Sequence, residues 1–387
     1  MKRVDVAVVG GGIVGLAFAW EAARRGLSVA LFERSTIAQG ASVRNFGMVW
    51  PIGQPPGNVY RMANRSRARW LEAGQKAGIW VRECGSLHVV YEDDERQVLE
   101  EFAARSGQTG IVCEYVTPAE AVRRYPAVNP DGLRGALYSP TELVVDPPSA
   151  IARLPKFLAE QYGVNLQFGQ TVTAIDMPRV HTASGEVWHA DRVFVCSGTD
   201  FETLFPSEFA KSGIRRCKLQ MLRTVSQPNG WRIGTHLAGG LTLCHYKAFD
   251  VCPSLPALKK RIAETMPEFV KYGIHVMASQ NSADEVVIGD THEYDGDISL
   301  FDSPYLDDLI VNYLRKMVRL PDWTISRRWH GLYTKHPTQA IYYAEPQPNC
   351  TIVSAPGGAG MTLSFGYAEE WWDSHASANH MQAIHVA

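Results

Sequence analysis

The sequence predicts an α/β protein with more than one domain, and three observations support this class. The chain has 387 residues, more than one hydrophobic core normally holds, so two domains are expected. Residues 4–33 follow the order strand, glycine-rich turn, helix, strand. A second glycine-rich turn, at residues 357–360, follows a short apolar run near the other end of the chain.

The composition excludes several classes of protein. Hydrophobic residues make up 45% and charged residues 20% of the chain, as in ordinary globular proteins, and the net charge of −2 gives no reason to expect nucleic acid as a partner. The seven cysteines form no C-x-x-C pair and no zinc-type spacing, which indicates a reducing compartment and no metal. Without an apolar run of about 18 residues or a signal-type cleavage site, we expect a cytoplasmic protein with no membrane span. The oligomeric state stays open.

The first element is a β-α-β unit with a G-x-G-x-x-G turn. Residues 4–9 form a valine-rich strand, residues 13–25 a helix and residues 28–32 a second strand. Gly10 permits the tight turn, Gly12 lets a pyrophosphate approach the backbone, and Gly15 lets the helix pack closely on the strand. The helix N-terminus supplies amide donors and partial positive charge. This pattern predicts a Rossmann-type dinucleotide site.

Glu33 ends the second strand, about 20 residues after the last glycine, where an acid accepts hydrogen bonds from a ribose diol. An acid at this position argues against the 2′-phosphate of NADP. The motif alone does not separate NAD from FAD.

The middle of the chain alternates predicted helices and strands. A helix is expected over residues 58–77, another begins after Thr117 with Glu120 completing a capping box, and a third begins after Asp146. Strands are expected over residues 86–91, 192–198 and 285–290.

The second glycine-rich turn precedes a helix predicted over residues 361–372. A nicotinamide enzyme rarely needs such a turn, whereas FAD has a flavin ring far from its adenosine. A second helix N-terminus aimed at the ring would stabilise negative charge on reduced flavin. From these residues alone, a turn that only precedes the last helix explains the pattern equally well.

Four stretches carry a resemblance to a known family. They are VVGGGIVGLAFAWEAARRGLSVALFER, GASVRNFGM at residues 40–48, DRVFVCSGT at residues 191–199, and WHGLYTKHPTQAIYYAEPQPNCTIVSAPGGAGMTLSFG. The chain resembles FAD-dependent oxidoreductases of the D-amino-acid-oxidase type, on the glycine oxidase and sarcosine oxidase branch. The resemblance implies a discontinuous FAD-binding domain (residues 1–85, 145–215 and 322–375), an inserted mixed-sheet substrate domain (86–144 and 216–321) and a C-terminal tail (376–387).

The resemblance also implies the residues that bind FAD. They are Gly10, Gly12, Ile13, Val14, Gly15, Glu33, Arg34, Ser42, Arg44, Asn45, Gly47, Met48, Val172, Ser197, Gly198, Gly331, Gly357, Gly358, Gly360, Met361 and Thr362. Some sarcosine oxidases attach the flavin through a cysteine at the position that matches Gly331. FAD is therefore expected to be non-covalent.

The substrate end departs from the family pattern. Where glycine oxidases hold the substrate carboxylate with an arginine, this chain has Tyr333, followed by Lys335. The stretches ASVRNFGMVWPIGQPPGNVY and ECGSLHVVY resemble a subgroup associated with phosphonate catabolism. This implies an aminophosphonate, such as 2-aminoethylphosphonate or its N-methyl form. The candidate headgroup ligands are Arg44, Tyr246, Tyr333, Lys335 and His336.

The expected activity is an amine oxidase. The neutral amine gives a hydride to flavin N5, the imine is hydrolysed to an aldehyde, and dioxygen becomes hydrogen peroxide. No protein acid or base is assigned. Alternatives are a glycine, sarcosine or D-amino-acid oxidase, an amine dehydrogenase with another electron acceptor, and a flavoprotein without turnover.

Overall fold

A computed structural model describes the backbone of residues 2–384 and the side chains of residues 2–375. Within these residues the strands are β1 Lys2–Val9, β2 Val29–Glu33, β3 Met48–Val49, β4 Val81–Glu83, β5 Ser86–Val90, β6 Glu114–Val116, β7 Gly135–Ser139, β8 Leu143–Val145, β9 Asn165–Phe168, β10 Val172–Asp176, β11 Arg179–Thr182, β12 Val187–Val195, β13 Arg215–Ser226, β14 His236–Gly239, β15 Met277–Gln280, β16 Glu285–Gly289, β17 Glu293–Tyr294, β18 Ile325–Lys335, β19 Tyr342–Gln347 and β20 Cys350–Ser354. The helices are α1 Ile13–Arg24, α2 Asn58–Ala77, α3 Asp93–Ala104, α4 Ser106–Thr109, α5 Pro118–Arg124, α6 Pro147–Tyr162, α7 Pro206–Ser212, α8 Leu241–His245, α9 Leu255–Thr265, α10 Pro267–Lys271, α11 Pro304–Met317 and α12 Gly360–Ile384.

The first sheet contains the predicted β-α-β unit. Its strand order is β10-β11-β12-β1-β2-β9, with β20 added to β12 and β19 to β20. The strands β9, β2, β1, β12 and β20 are parallel, with Val6 opposite Val29 and Ala7 opposite Val193. Helix α1 packs against both α6 and α12 beside this sheet. The valine-rich strands are therefore buried, as parallel strands covered by helices are.

The second sheet is mixed and holds nine strands in the order β17-β13-β16-β15-β14-β5-β7-β6, with β18 paired to β13. Among the described strands of this sheet, only β14 and β5 pair in parallel. The strand β18 pairs with β13 from Arg215 opposite Lys335 to Thr224 opposite Ile325. The sequence prediction assigned residues 322–375 to the FAD-binding domain. The structure differs at β18, which pairs within the second sheet.

A third, small sheet consists of β3, β8 and β4. Gly47 precedes it with a φ of 75°, and a Cβ there would overlap the carbonyl oxygen of Val145. Only glycine fits this position, because the backbone is left-handed and the neighbouring strand is in contact.

The predicted helices are present, with two differences in detail. The Thr117 side chain accepts the Glu120 N–H at the start of α5, whereas Asp146 makes no side-chain cap on α6. The last helix is longer than predicted and continues through residues 376–384, which had been assigned to a tail. Residues 385–387 lie outside the described residues. Among the helices described, none has the length and apolar character needed to cross a membrane.

Candidate functional site

One cavity of about 760 Å³ connects the two glycine-rich turns. It opens where β1, β2 and β12 end, since Val9, Glu33 and Cys196 all line it. Ligands of open α/β sheets bind in the crevice at the carboxyl ends of parallel strands. All predicted cofactor residues line this cavity except Gly15 and Gly47, and all five predicted headgroup ligands line it.

The first turn is shaped for close approach of a ligand to the backbone. Gly10 has a φ of 111°, and a Cβ there would overlap the carbonyl oxygen of Cys196. Gly12 caps α1 without a side-chain hydrogen bond, and the first turn of this helix holds no acid. Gly15 does not line the cavity, and a Cβ on it would overlap the carbonyl oxygen of Gly10. Gly15 therefore lets α1 pack on the turn.

Glu33 lies beside this turn and fixes it. Its Oε2 accepts the Gly11 N–H at 2.8 Å, and its Oε1 accepts the Ser35 N–H at 3.0 Å. Each carboxylate oxygen keeps a further lone pair for a ligand hydroxyl. The neighbouring Arg34 is paired with Asp200 at 3.0 Å, so its charge is already partly balanced.

The loop of residues 41–48 is held together by its own polar side chains. Asn45 Nδ2 donates to the Ala41 and Ser42 carbonyl oxygens, and its Oδ1 accepts the Gly47 N–H. Ser42 Oγ accepts the Ile13 N–H at 2.9 Å and so joins the loop to the start of α1.

Arg44 reaches from this loop to β18. Its Nε donates to the Gln39 carbonyl oxygen, and its Nη1 donates to that of His330 at 3.2 Å. The residue after His330 on β18 is Gly331, where a Cβ would stand 3.3 Å from the Arg44 carbonyl oxygen. Gly331 lines the cavity without a side chain.

The second turn is a 3₁₀ segment, Gly357–Ala359, which leads directly into α12. Thr362 Oγ1 accepts the Trp50 N–H at 2.9 Å, and the Trp70 indole donates to the Met361 carbonyl oxygen at 2.8 Å. These contacts fix the start of α12 against the cavity, and its first turn holds no acid.

These residues fit FAD. Two helix N-termini without acidic first turns meet the cavity, and such ends bind negatively charged groups. A carboxylate suited to a ribose lies at the first turn, and the cavity continues past Gly331 to the second turn. The first turn and Glu33 would hold the adenosine and pyrophosphate, and α12 would face the flavin ring.

Tyr333 and Lys335 lie on β18 and line the same cavity, at the end where the substrate is expected from the sequence. Tyr333 is buried, and burial raises the pKa of its hydroxyl well above the usual value. Lys335 is half-buried, and burial lowers the pKa of its ammonium. The side chain of Lys247 also lines the cavity, close enough to oppose the charge of Lys335. Among the described residues, neither lysine has a carboxylate partner.

His336 lines the cavity, but its Nδ1 already has hydrogen-bond partners within the protein. His336 Nδ1 accepts the N–H groups of Thr338 and Gln339, and the ring stacks on Tyr342 with 5.6 Å between centroids. This histidine shapes a turn and offers a headgroup only its other nitrogen.

The sequence prediction missed a cluster of three histidines at this end of the cavity. His245 ends α8, His275 precedes β15 and His292 lies between β16 and β17. Their ligand atoms lie within 4.8 Å of one another. No short spacing connects these residues in the sequence, so no motif could have identified them.

Each histidine has a defined setting. His292 Nδ1 lies 2.8 Å from the Gly273 carbonyl oxygen, so Nδ1 carries the hydrogen and Nε2 the lone pair. His275 Nδ1 lies 3.0 Å from Asp290 Oδ1, although the two are poorly aligned for a hydrogen bond. Burial lowers the pKa of His292 to about 4 and that of His245 well below its usual value, with help from the neighbouring histidines and Lys335.

The rings are arranged poorly for a shared metal ion. His245 and His275 stack with centroids 3.7 Å apart and 18° between their planes. A metal lies close to the plane of each imidazole that binds it, and no point at bonding distance lies close to both planes of such a stack. The sequence prediction of no metal remains a prediction.

The fold and the cavity together define a flavin-dependent oxidoreductase. The family described as DAO, FAD dependent oxidoreductase, matches residues 5–371. The chain belongs to this family, and FAD is its cofactor. The sequence resemblance to this family is therefore confirmed.

Individual relatives match parts of the sequence. Glycine oxidase of Geobacillus kaustophilus is 27% identical over 206 residues, which cover 51% of this chain and 55% of the relative. Human mitochondrial sarcosine dehydrogenase is 27% identical over 162 residues, or 40% of this chain and 17% of the relative. The matched stretches thus span only part of these relatives.

Solved structures share the whole fold. The Geobacillus kaustophilus glycine oxidase structure has a TM-score of 0.75 at 20% identity, with 95% of this chain and 93% of that chain covered. L-α-glycerophosphate oxidase of Mycoplasma pneumoniae, with FAD bound, has a TM-score of 0.73 at 18% identity over 95% and 94% of the two chains. The predicted α/β fold with FAD-binding and substrate domains is confirmed.

Proposed function

We propose that this member of the family is an FAD-dependent amine oxidase that acts on an aminophosphonate. The substrate is 2-aminoethylphosphonate or its N-methyl derivative. The carbon beside nitrogen loses a hydride and the nitrogen loses a proton, which leaves an imine, and water hydrolyses the imine to phosphonoacetaldehyde and ammonia or methylamine. Dioxygen takes the two electrons and two protons and leaves as hydrogen peroxide. FAD supplies the two-electron acceptor when it is bound.

The observation that carries this proposal is the half-buried Lys335, which has no carboxylate partner among the described residues and has the exposed Lys247 as a neighbour. A half-buried cation without a carboxylate partner is costly, and an anionic ligand offsets that cost. Lys335 and Lys247 line the cavity beside Tyr333. Position 333 holds a tyrosine and not an arginine, which could bind a carboxylate through two parallel hydrogen bonds. A group with three acceptor oxygens suits several separate donors better.

The residues of the chain orient and enclose the substrate. Tyr333, Tyr246 and Lys335 bind the headgroup, so that the amine carbon points toward the flavin end of the cavity near Gly331. Positioning of this kind supplies much of the rate in a reaction that needs no protein base. The cofactor is held by the predicted cofactor-lining residues, and with glycine at position 331 it is non-covalent.

The relatives support two features of the proposal. Glycine oxidase and sarcosine dehydrogenase are named for small amines, which matches oxidation of a carbon beside nitrogen. L-α-glycerophosphate oxidase is named for a phosphate ester, which matches a phosphorus-bearing anion in this fold. A simple amino acid is the main alternative substrate, because glycine oxidase is similar over nearly the whole chain.

A screen of amines tests the proposal. Each amine is mixed anaerobically with the holoenzyme while flavin absorbance is followed, and peroxide is then measured in air. 2-Aminoethylphosphonate or its N-methyl form should give a higher kcat/KM than glycine, sarcosine or D-alanine, since each donor left unpaired by a smaller anion costs about 1–3 kcal/mol. A higher kcat/KM for glycine or sarcosine would contradict the aminophosphonate assignment and leave the amine oxidase intact.

Lys335→Ala sharpens this comparison. The variant should raise KM for the aminophosphonate while hardly changing turnover of an uncharged alkylamine. Equal losses on both substrates would assign Lys335 to the fold or to FAD. Flavin bleaching by an amine without peroxide formation would instead identify a dehydrogenase, the activity that sarcosine dehydrogenase is named for.

A further inference from the structure

The histidine cluster lies at the substrate end, beside the headgroup ligands. His292 is 6.2 Å from Tyr333 between ring centroids, and His275 is 5.7 Å from Tyr246. The three histidines line the same cavity as Lys335. Any anion that reaches Tyr333 and Lys335 is therefore next to three imidazoles.

The hydrogen-bond partners of these imidazoles indicate which ring nitrogen can accept a proton. His292 keeps its hydrogen on Nδ1, where it faces the Gly273 carbonyl oxygen. His275 Nδ1 faces the Asp290 carboxylate at 3.0 Å. A further proton on His292 must therefore be added at Nε2, and that Nε2–H then becomes a new charge-assisted donor.

We propose that His245, His275 and His292 form a binding site for a dianionic phosphonate or phosphate-ester group, and that this site takes up a proton when the dianion binds. The proposal rests on the proposed function for its place in the reaction. It adds residues that the sequence prediction did not contain, and it adds a basis for selecting a dianion over a monoanion.

Electrostatics decides the protonation state of the cluster. In the free protein, burial and the positive neighbours keep His245 and His292 neutral, with lowered pKa values. A dianion among them reverses this balance, because an opposite charge at close range raises the pKa of a histidine. A monoanion of the same shape has half the charge and gives a smaller effect.

Other charged and titratable groups face the cluster from every side. They are Asp290, Tyr246, Lys247, Tyr333 and Lys335, with Tyr294 and Cys217 behind them. Tyrosine and cysteine stay neutral here because burial raises the pKa of each. Asp290 is the one carboxyl group among these residues, and it lies against His275. The histidines and Lys335 are therefore the groups that can take up a proton at the site.

Titration calorimetry of the holoenzyme tests the site without turnover. The probe is sulfate, a tetrahedral dianion at about pH 6, where a histidine can titrate and a lysine stays charged, and the comparison is methanesulfonate, a monoanion of the same shape. Each is titrated in two buffers with different ionisation enthalpies, so that the heat reports the number of protons taken up. We expect sulfate to bind with net uptake of part of a proton, and methanesulfonate to bind at least about tenfold more weakly without uptake.

Variants identify the groups that take up the proton. His292→Gln and His245→Asn should each weaken sulfate binding at least about tenfold and reduce proton uptake, with little change for methanesulfonate. The control is His181→Gln, since His181 lies on β11 outside the cavity. Flavin absorbance and melting temperature show which variants fold. Sulfate binding without proton uptake, or uptake that both variants leave unchanged, would overturn the proposal.

Two further arms separate the site from the activity and from a metal centre. Binding that depends on added Zn²⁺ and disappears with a chelator would overturn the proposal in favour of a metal site. Aminophosphonate oxidation without proton uptake would also overturn it and leave the proposed function intact. Sulfate binding with proton uptake, but without oxidation of any aminophosphonate, would support the histidine site and contradict the proposed substrate. A comparison of 2-aminoethylphosphonate with O-phosphoethanolamine then identifies a phosphonate or a phosphate ester as the tighter ligand.

Discussion

Glu33 connects the first glycine turn to the second strand through a single carboxylate. Its two oxygens accept backbone hydrogens from Gly11 and Ser35. The same oxygens line the cavity where the ribose of FAD is proposed to lie. The side chain therefore shapes the turn before any cofactor binds, and the cofactor hydroxyls add to an existing network.

Replacement of Glu33 tests this double role. Glu33→Ala should weaken FAD binding by about 1–3 kcal/mol, which is about 5- to 150-fold in Kd, because charge-assisted hydrogen bonds to the ribose are lost. Glu33→Gln should lie between alanine and wild type, since an amide keeps only one acceptor oxygen. Titration of apoprotein with FAD, followed by flavin fluorescence, measures the effect. Glu160→Ala on the exposed side of α6 is the control, and an unchanged Kd for Glu33→Ala would exclude the ribose role.

Some residues that line the cavity could be predicted from the sequence and others could not. Tyr333 and Lys335 were identified because they stand in a stretch that resembles a family motif. His245, His275 and His292 stand in three separate segments, which pairing of β14, β15 and β16 brings together. A contact between distant segments leaves no local pattern, so these three histidines were not predicted.

At the level of elements, α1 depends on Gly15 for its distance from β1. A Cβ at Gly15 would overlap the carbonyl oxygen of Gly10 and lie 3.2 Å from Val8 Cγ1. Gly15→Ala should therefore push the helix away from the turn, lower the melting temperature of the apoprotein and weaken FAD binding. Overpacking of this kind costs about 1–3 kcal/mol, and contact with backbone leaves little room for relaxation.

The control for this variant is Gly107→Ala in α4, where the added Cβ meets nothing within 4 Å. Thermal unfolding with and without FAD compares the two variants. A melting temperature of Gly15→Ala equal to that of wild type would mean that α1 does not need its close approach to the turn.

Elements with local signals were predicted well, and elements fixed by distant pairing were not. The β-α-β unit and α2 follow from periodicity and glycine spacing within about 30 residues. The assignment of β18 to the second sheet follows from its pairing with β13, about a hundred residues earlier in the chain. The sequence near β18 resembles a cofactor-binding motif, and that resemblance placed it in the other domain.

At the scale of the whole molecule, β18 connects the two sheets at the cavity. It pairs with β13 in the second sheet, and its last residue, Lys335, forms a bridge with Pro356 at the second glycine turn. Tyr333 and Lys335 on this strand are therefore fixed relative to the second glycine turn. Under the proposed function, this pairing would hold the headgroup ligands at a set distance from the cofactor.

Several buried histidines make the stability of the whole protein depend on pH. Burial lowers the pKa of His88 to about 3 and those of His236 and His292 to about 4. In the unfolded chain a histidine titrates near 6.5. The unfolded state therefore binds more protons than the folded state in this range, and the free energy of unfolding decreases as the pH falls from about 6.5 toward 4, by up to about 1.4 kcal/mol per pH unit for each group.

His88→Met isolates one of these contributions. His88 is fully buried between Trp50 and Phe249, and among the described residues neither ring nitrogen has a hydrogen-bond partner. Methionine has a similar volume and cannot be protonated, so the variant should lose less stability than wild type as the pH falls from about 6.5 toward 3. Urea unfolding at a series of pH values, with FAD in excess, measures the difference, and His181→Gln is the control. Plots of unfolding free energy against pH for the variant and for wild type should run parallel above about pH 7, where His88 is neutral in both the folded and the unfolded chain, and should diverge below it. Parallel curves over the whole range would mean that His88 is not held neutral by burial.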